Sequence, residues 1–146
     1  MTKAEREAFL AGLHVGVLSV ARPGRGPLLA PVWYRYEPGA EVCIVTGRAS
    51  AKAAHLGRAG RASFCVQAET APYRYVVVEG PVTLGEIDLE RDVHAVARRY
   101  LGDQRARAYL AATADWHGPA QEVLVRLRPE HWHSEDYAKT NVLGGG

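Results

Sequence analysis

Cysteine is nearly absent from this chain: Cys43 and Cys65 are the only two in 146 residues. Each sits in an apolar, β-branched stretch, so two buried thiols in a reducing compartment are expected rather than a disulfide framework. Long hydrophobic runs are also missing, which excludes a bilayer-spanning helix. The opening residues, Met1-Thr2-Lys3-Ala4-Glu5-Arg6-Glu7, carry charges of both signs, unlike a secretory signal, so a cytoplasmic location is expected. Lysine is scarce, 3 against 15 arginines, and the formal net charge is only +2. That balance is too mild for a nucleic-acid footprint, so neither nucleic acid nor membrane is expected as a partner. No nucleophile elbow, Walker loop, GxGxxG or Cys-x-x-Cys pattern occurs, and no internal repeat or low-complexity segment.

What remains is an ordinary globular composition, with 47% hydrophobic and 23% charged residues. A chain of this length fits a single domain, residues 1–146, burying roughly 68–70% of its unfolded surface. Thr2-Lys3-Ala4-Glu5 has the pattern of a capping box, and the apolar residues after it predict a helix over about 3–13. Strands are expected over about 15–21, 28–37, 41–47, 62–69, 73–86 and 122–130. Pro23-Gly24-Arg25-Gly26-Pro27 reads as a loop, and Pro38-Gly39 as the turn of a hairpin joining the second and third strands. Ser50 and Asp88 are natural N-caps for helices over about 50–58 and 88–101, Gly102 ends the latter, and a further helix follows over about 103–113. Residues 131–146 read as a polar, aromatic tail whose last three glycines are expected to fray. Strands that come in runs, without βαβ alternation, argue against a dinucleotide-binding fold. Six mostly antiparallel strands in so short a chain leave open edges, which closure into a barrel removes.

Four segments carry chemistry. Thr46-Gly47-Arg48-Ala49-Ser50-Ala51-Lys52 brings two cations and a hydroxyl to a helix start, where free N–H groups and the helix dipole attract anions. Two readings stay open: a phosphate site, or a plain Ser50 cap with solvated cations. Cations at a helix N-terminus oppose its dipole by about 0.3–1 kcal/mol each, so two there call for a compensating anion or a different local geometry. Ala30-Pro31-Val32-Trp33-Tyr34 places a proline inside a strand, as edges and bulges allow, with aromatic walls beside it for a planar heterocycle or for a partner chain. Tyr73-Arg74-Tyr75-Val76-Val77-Val78 sets one arginine on an apolar face, where it calls for an anion, a carboxylate neighbour or a ligand. His131-Trp132-His133 would put two imidazoles on one face, but without further ligands at a metal-type spacing no metal site is assigned.

Taken in order, these blocks resemble the pyridoxamine-phosphate-oxidase-like split-barrel superfamily. The likeness is closest to its actinobacterial branch of flavin- and deazaflavin-dependent oxidoreductases, which includes users of coenzyme F-420. It rests on Pro31-Val32-Trp33-Tyr34, on Thr46 to Lys52 and on to Leu56, on Ala62 to Val66 with Pro72 to Val76 and Glu79-Gly80, and on Trp132 with Asp136-Tyr137-Ala138-Lys139. The resemblance implies a mainly β, six-stranded antiparallel split barrel with short helices. It also implies a homodimer holding F-420, or alternatively FMN, at its interface, and an oxidoreductase moving hydride to or from a small organic substrate. By that analogy Arg48, Ser50 and Lys52 bind the cofactor phosphate, Thr46 and Ala51 belong to the same cofactor-binding segment, Pro31, Val32 and Trp33 lie beside the ring, and Trp132 and Lys139 reach the site from the other subunit. Arg25, Arg58 and Arg61 are candidates to line a groove for the longer anionic tail of F-420. No catalytic acid stands out, and Tyr34, Tyr73 and water are the candidates for it. The chain departs from the family at Pro23 to Pro27, where an Asp-Gly turn is usual, and at Gly60, where proline is frequent. Two non-enzymatic readings remain: a haem- or cofactor-binding dimer using His55, His131 or His133, and a structural dimer with a vestigial pocket.

Overall fold

The structure, a computed structural model, describes residues 1–140; the terminal glycines expected to fray lie outside the described residues. In chain order the elements are α1 (Lys3–Leu10), β1 (Gly16–Arg22), β2 (Arg25–Val32), β3 (Val42–Gly47), α2 (Ala51–Ala59), β4 (Arg61–Ala68) and β5 (Arg74–Gly85). A turn of π-helix (Leu89–His94) then leads into α3 (Ala95–Ala112), a short 3-10 turn (Ala114–Trp116), β6 (Glu122–Leu127), β7 (His131–Asp136) and α4 (Tyr137–Thr140). The protein is mainly β with short helices, and every strand pair is antiparallel.

The strands run in the order β2-β1-β4-β5-β6-β3, with β7 on β5. β5 serves two sheets: Arg74 to Pro81 pairs with β4, while Val82 to Gly85 pairs with β6. The chain changes sheets at Gly80, where an added Cβ would sit 1.9 Å from the Arg128 carbonyl oxygen. Only glycine permits that approach. The curled sheet nearly closes where Arg35 and Cys43 exchange both backbone bonds, at 3.1 and 3.0 Å. Elsewhere no strand among the described residues lies between β2 and β3, and this gap makes the barrel split.

Alternation sets the core. Leu18 and Val20 of β1, Ile44 of β3, Phe64 and Val66 of β4, Val76 and Val78 of β5 and Val125 and Leu127 of β6 converge inside, with Leu10 and Leu56 from the helices. A smaller cluster of Cys43, Ile87, Val93 and Leu124 forms on the outer side of β3 and β6, beneath the π-turn. The opposite alternation on β1 and β2 leaves Val17 and Leu29 exposed beside Val15 and Leu13. Among the described residues no helix is long and apolar enough to cross a membrane.

Several boundaries differ from the sequence reading. Residues 23–27 are not a loop: Pro23-Gly24 alone makes the turn, with Gly24 at φ 66°, and β2 starts at Arg25. Pro-Gly at the centre of a tight turn suits a type II geometry, which needs positive φ at its second position. The strand expected over 28–37 ends at Val32, because β3 takes β6 as its ladder partner and leaves only the Arg35–Cys43 bridge of the expected hairpin. The helix expected over 3–13 stops at Leu10, its cap formed as read: Thr2 Oγ1 accepts from Glu5 N at 3.1 Å, and Thr2 N donates to Glu5 Oε1 at 3.3 Å. The expected 88–101 helix opens as the π-turn, and Gly102 breaks α3 at φ 78°, ψ 165°. The segment read as a tail from 131 holds a seventh strand, β7, which pairs with Arg74 to Glu79 of β5. Its polar side chains gave no apolar alternation, and the free edge of β5 supplies the pairing.

Candidate functional site

The gap between β2 and β3 contains a cavity of about 260 Å³. Pro31, Val32, Trp33 and Tyr34 form one wall, Cys43 and Val45 the second, and the π-turn, α3 and the residues leading to β6 close the outside. β2 bonds to β1 along one edge only, so Pro31 is tolerated on the other, where no ladder donor is needed. On β3 the Cys43 backbone faces Arg35, and alternation turns the Val45 N–H and C=O the same way, into the gap, where no strand of the described residues lies opposite.

Lys52 enters this cavity from the first turn of α2. It is half-buried, burial pushes its pKa below the ordinary lysine value, and it makes no hydrogen bond or ion pair with the described residues. A desolvated, unpaired ammonium is costly unless an anion joins it. Trp33 forms the aromatic wall: its ring lies on Tyr100 at 5.0 Å and 5°, and Tyr109 meets it at 5.6 Å and 59°.

The carboxylates around the cavity are spoken for. The Asp92 side chain is fully buried: Oδ1 accepts from Arg35 Nε, Arg35 Nη2 and Arg91 Nε, while Oδ2 accepts from Arg91 Nη2 and the Asp88 N–H. Burial alone would raise its pKa, but the Arg91, Asp88 and Arg35 hydrogen bonds outweigh it and hold the group at about 2. Glu122 lies 3.1 Å from His117 Nδ1 and also accepts from the Gly118 N–H, while His117 Nε2 contacts Thr113 Oγ1 at 2.9 Å.

The sequence-predicted site residues are divided by the structure. Pro31, Val32, Trp33 and Lys52 share the cavity. Arg48 and Ser50 line a separate hollow of about 370 Å³, with Leu84 and Glu86 of the β5 end. There Arg48 clasps the loop before β6, donating to the Pro119 carbonyl at 2.8 Å and pairing with Glu86 at 3.2 Å. Ser50 Oγ caps α2, accepting from Ala53 N at 3.1 Å and donating to the Gly47 carbonyl at 2.7 Å, with the buried Thr46 hydroxyl 3.4 Å away. Ala51 opens α2 and lines neither hollow. Trp132 packs on the α1 side, under the Arg6 guanidinium at 4.7 Å and edge-on to Tyr36, and Lys139 pairs with Glu5 at 2.7 Å. The Lys139 hydrogen bond, followed by those from Thr2, lowers the Glu5 pKa to about 2.

Of the two tyrosines considered as acids, Tyr34 is buried, donates to the Leu10 carbonyl at 2.6 Å and has its pKa raised by burial, whereas Tyr73 is exposed and outside the cavity. His55 lies on α2, while His131 and His133 lie on β7, with His133 Nε2 2.9 Å from the Tyr75 hydroxyl. Sequence reasoning missed Tyr109, His117, Glu122 and Asp92, which reach the cavity from four separate stretches of chain with no shared motif.

Three comparisons bear on this geometry. The family model described as pyridoxamine 5'-phosphate oxidase matches residues 2–136. No curated protein matches the chain. Among solved structures, the conserved hypothetical protein Rv2991 of Mycobacterium tuberculosis is 27% identical, with 97% of this chain and 89% of that chain covered and a TM-score of 0.77. An F-420 reductase is 20% identical over 87% of this chain and 94% of its own, with a TM-score of 0.68. A FAD-binding protein from Mesorhizobium loti is 22% identical over 92% of this chain and 94% of its own, with a TM-score of 0.63. At these identities the last two share the fold.

Proposed function

Because the chain belongs to the pyridoxamine 5'-phosphate oxidase family, we propose that it is an oxidoreductase using coenzyme F-420, held in the gap between β2 and β3 of a homodimer. The observation that carries this reading is Lys52, a half-buried cation without a partner among the described residues, in a cavity walled by Trp33. Such a pairing of cation and aromatic wall suits a ligand with a planar ring and a phosphate.

The residues present fit that group. Lys52 binds the phosphate, aided by the free N–H groups of Ala51 and Lys52 at the start of α2. Trp33, fixed by its stack on Tyr100, and the Pro31-Val32 edge orient the ring, and the Val45 amide offers it one donor and one acceptor. The Arg35–Asp92–Arg91 cluster holds the outer wall and helps keep water out. When bound, the deazaflavin supplies the hydride chemistry.

A cavity of about 260 Å³ falls below the roughly 300–1,000 Å³ usual for ligand sites, so one subunit leaves part of the ligand uncovered. Val17 pairs with Pro31, placing the exposed apolar face of β1 and β2 next to the cavity mouth. A second copy on that face covers both.

For the choice of F-420 over FMN, the support is charge. Arg58, Arg22 and Arg25 surround His55 on α2, and after burial their positive field is what lowers its pKa. This basic strip starts one helical turn from Lys52 and suits a longer anionic tail; Arg61 is committed to Glu130 at 2.9 Å. Equilibrium dialysis of the purified protein against each cofactor tests the reading. Tight F-420 binding with weak FMN binding is expected. The reverse makes it an FMN flavoprotein, and binding of neither overturns the proposal.

A further inference from the structure

We infer that Tyr109 is a further ligand-binding residue of this cavity, its hydroxyl donating to an acceptor oxygen of the ring held beside Trp33, and that the cavity takes acceptor-rich neutral or anionic rings and refuses cationic ones. The inference deepens the proposed function and rests on that reading of the cavity.

Tyr100 and Tyr109 meet the Trp33 ring and Tyr34 follows it in the chain, and the three hydroxyls differ in one respect. Tyr34 donates to the Leu10 carbonyl at 2.6 Å and Tyr100 to the His14 carbonyl at 2.6 Å, so both are used by the fold. Tyr109 lines the cavity, and its hydroxyl has no hydrogen-bond partner among the described residues. Its ring is held from two sides, by Trp33 at 5.6 Å and by His117 at 6.0 Å. A half-buried phenol that is positioned but unpaired is a donor with spare capacity.

The charge pattern explains the selectivity. The two carboxylates lining the cavity are already engaged, Asp92 by two arginines and a backbone N–H, and Glu122 by His117 and Gly118. Both ring nitrogens of His117 have partners as well. Among the described residues the side-chain donors of the cavity left without a hydrogen-bond partner are the Lys52 ammonium, the Tyr109 hydroxyl and the indole N–H of Trp33 itself. A cationic ring entering here meets Lys52 with no carboxylate free to receive it, whereas a ring bearing carbonyl oxygens meets a donor.

Two planar tricycles of similar size separate these cases: lumiflavin, neutral with two carbonyl oxygens and no phosphate, and proflavine, a cation at neutral pH with none. Equilibrium dialysis of wild type and Tyr109→Phe is expected to show lumiflavin binding at least tenfold tighter than proflavine. The substitution should weaken lumiflavin by about three- to tenfold, the worth of one hydrogen bond, and leave proflavine and the melting temperature unchanged. Equal binding of the two dyes, no lumiflavin binding, or lumiflavin affinity unchanged in Tyr109→Phe would each overturn the inference. Failure of the proposed function looks different: neither FMN nor F-420 binds, while the preference for lumiflavin and its loss in Tyr109→Phe persist.

Discussion

Trp33 lies flat on Tyr100, with ring centroids 5.0 Å apart and planes 5° from parallel. The pair ties the end of β2 to α3, because the Tyr100 hydroxyl donates to the His14 carbonyl at 2.6 Å and accepts from the Tyr34 N–H at 3.2 Å. A wall that would otherwise be a loose strand end is thereby fixed before any ligand arrives.

Replacing Tyr100 separates the two contributions. Tyr100→Phe keeps the stack and loses the hydrogen bonds, a cost of about 1–3 kcal/mol. Tyr100→Leu loses the aromatic pairing as well, worth roughly 0.5–1.5 kcal/mol more. Urea unfolding of both variants measures the difference, and equal stabilities would show that the stack contributes nothing.

Asp92 gives the protein an acid-sensitive point. Its folded pKa of about 2 lies below the ordinary 3.8, so its contribution is complete above about pH 4 and fades as the pH falls towards 2. Asp92→Asn is expected to lower stability at neutral pH by about 1–3 kcal/mol and to flatten the acid limb of the stability curve. An unchanged acid limb in the variant would assign that limb to other carboxylates.

Gly80 is predicted to be intolerant of any side chain. Its added Cβ would meet a backbone oxygen at 1.9 Å, and no rotamer change relieves a backbone clash. Gly80→Ala should cost about 1–3 kcal/mol or more by parting β5 from the 128–130 segment. A variant with wild-type stability would mean that the sheet crossover is wider than the structure has it.

The exposed apolar face is expected to be the dimer contact. Val17→Asp combined with Leu29→Asp places charges on two exposed positions that support no core packing. Sedimentation should shift from dimer to monomer, with weaker cofactor binding in step. A double variant that sediments as a dimer would locate the interface elsewhere.

Much of this fold is legible from residue patterns. Alternation marks β1 and β4, Ser50 caps α2 as its position suggests, and Pro31 stands on an open edge, whereas β6 is buried on both faces. The polar β7 escapes such a reading because its place comes from backbone pairing with β5, not from its side chains. The site is half legible. Lys52 and Trp33 follow from local motifs, but Tyr109, Asp92 and His117 reach the cavity only through folding of the segment between β5 and β6. Arg48 looks identical to Lys52 by local logic, and only the tertiary position of the Pro119 carbonyl shows that it clasps a loop.

The most direct test of the central claim is the dissociation constant of F-420 for wild type and Lys52→Ala, measured from pH 6 to pH 10. Because burial lowers the Lys52 pKa, wild-type affinity should fall as the pH rises through it, earlier than an ordinary lysine would allow. Lys52→Ala should bind at least tenfold more weakly at pH 7, with that pH dependence gone. Equal affinities and identical pH profiles for the two proteins would contradict the account and move the phosphate away from this cavity.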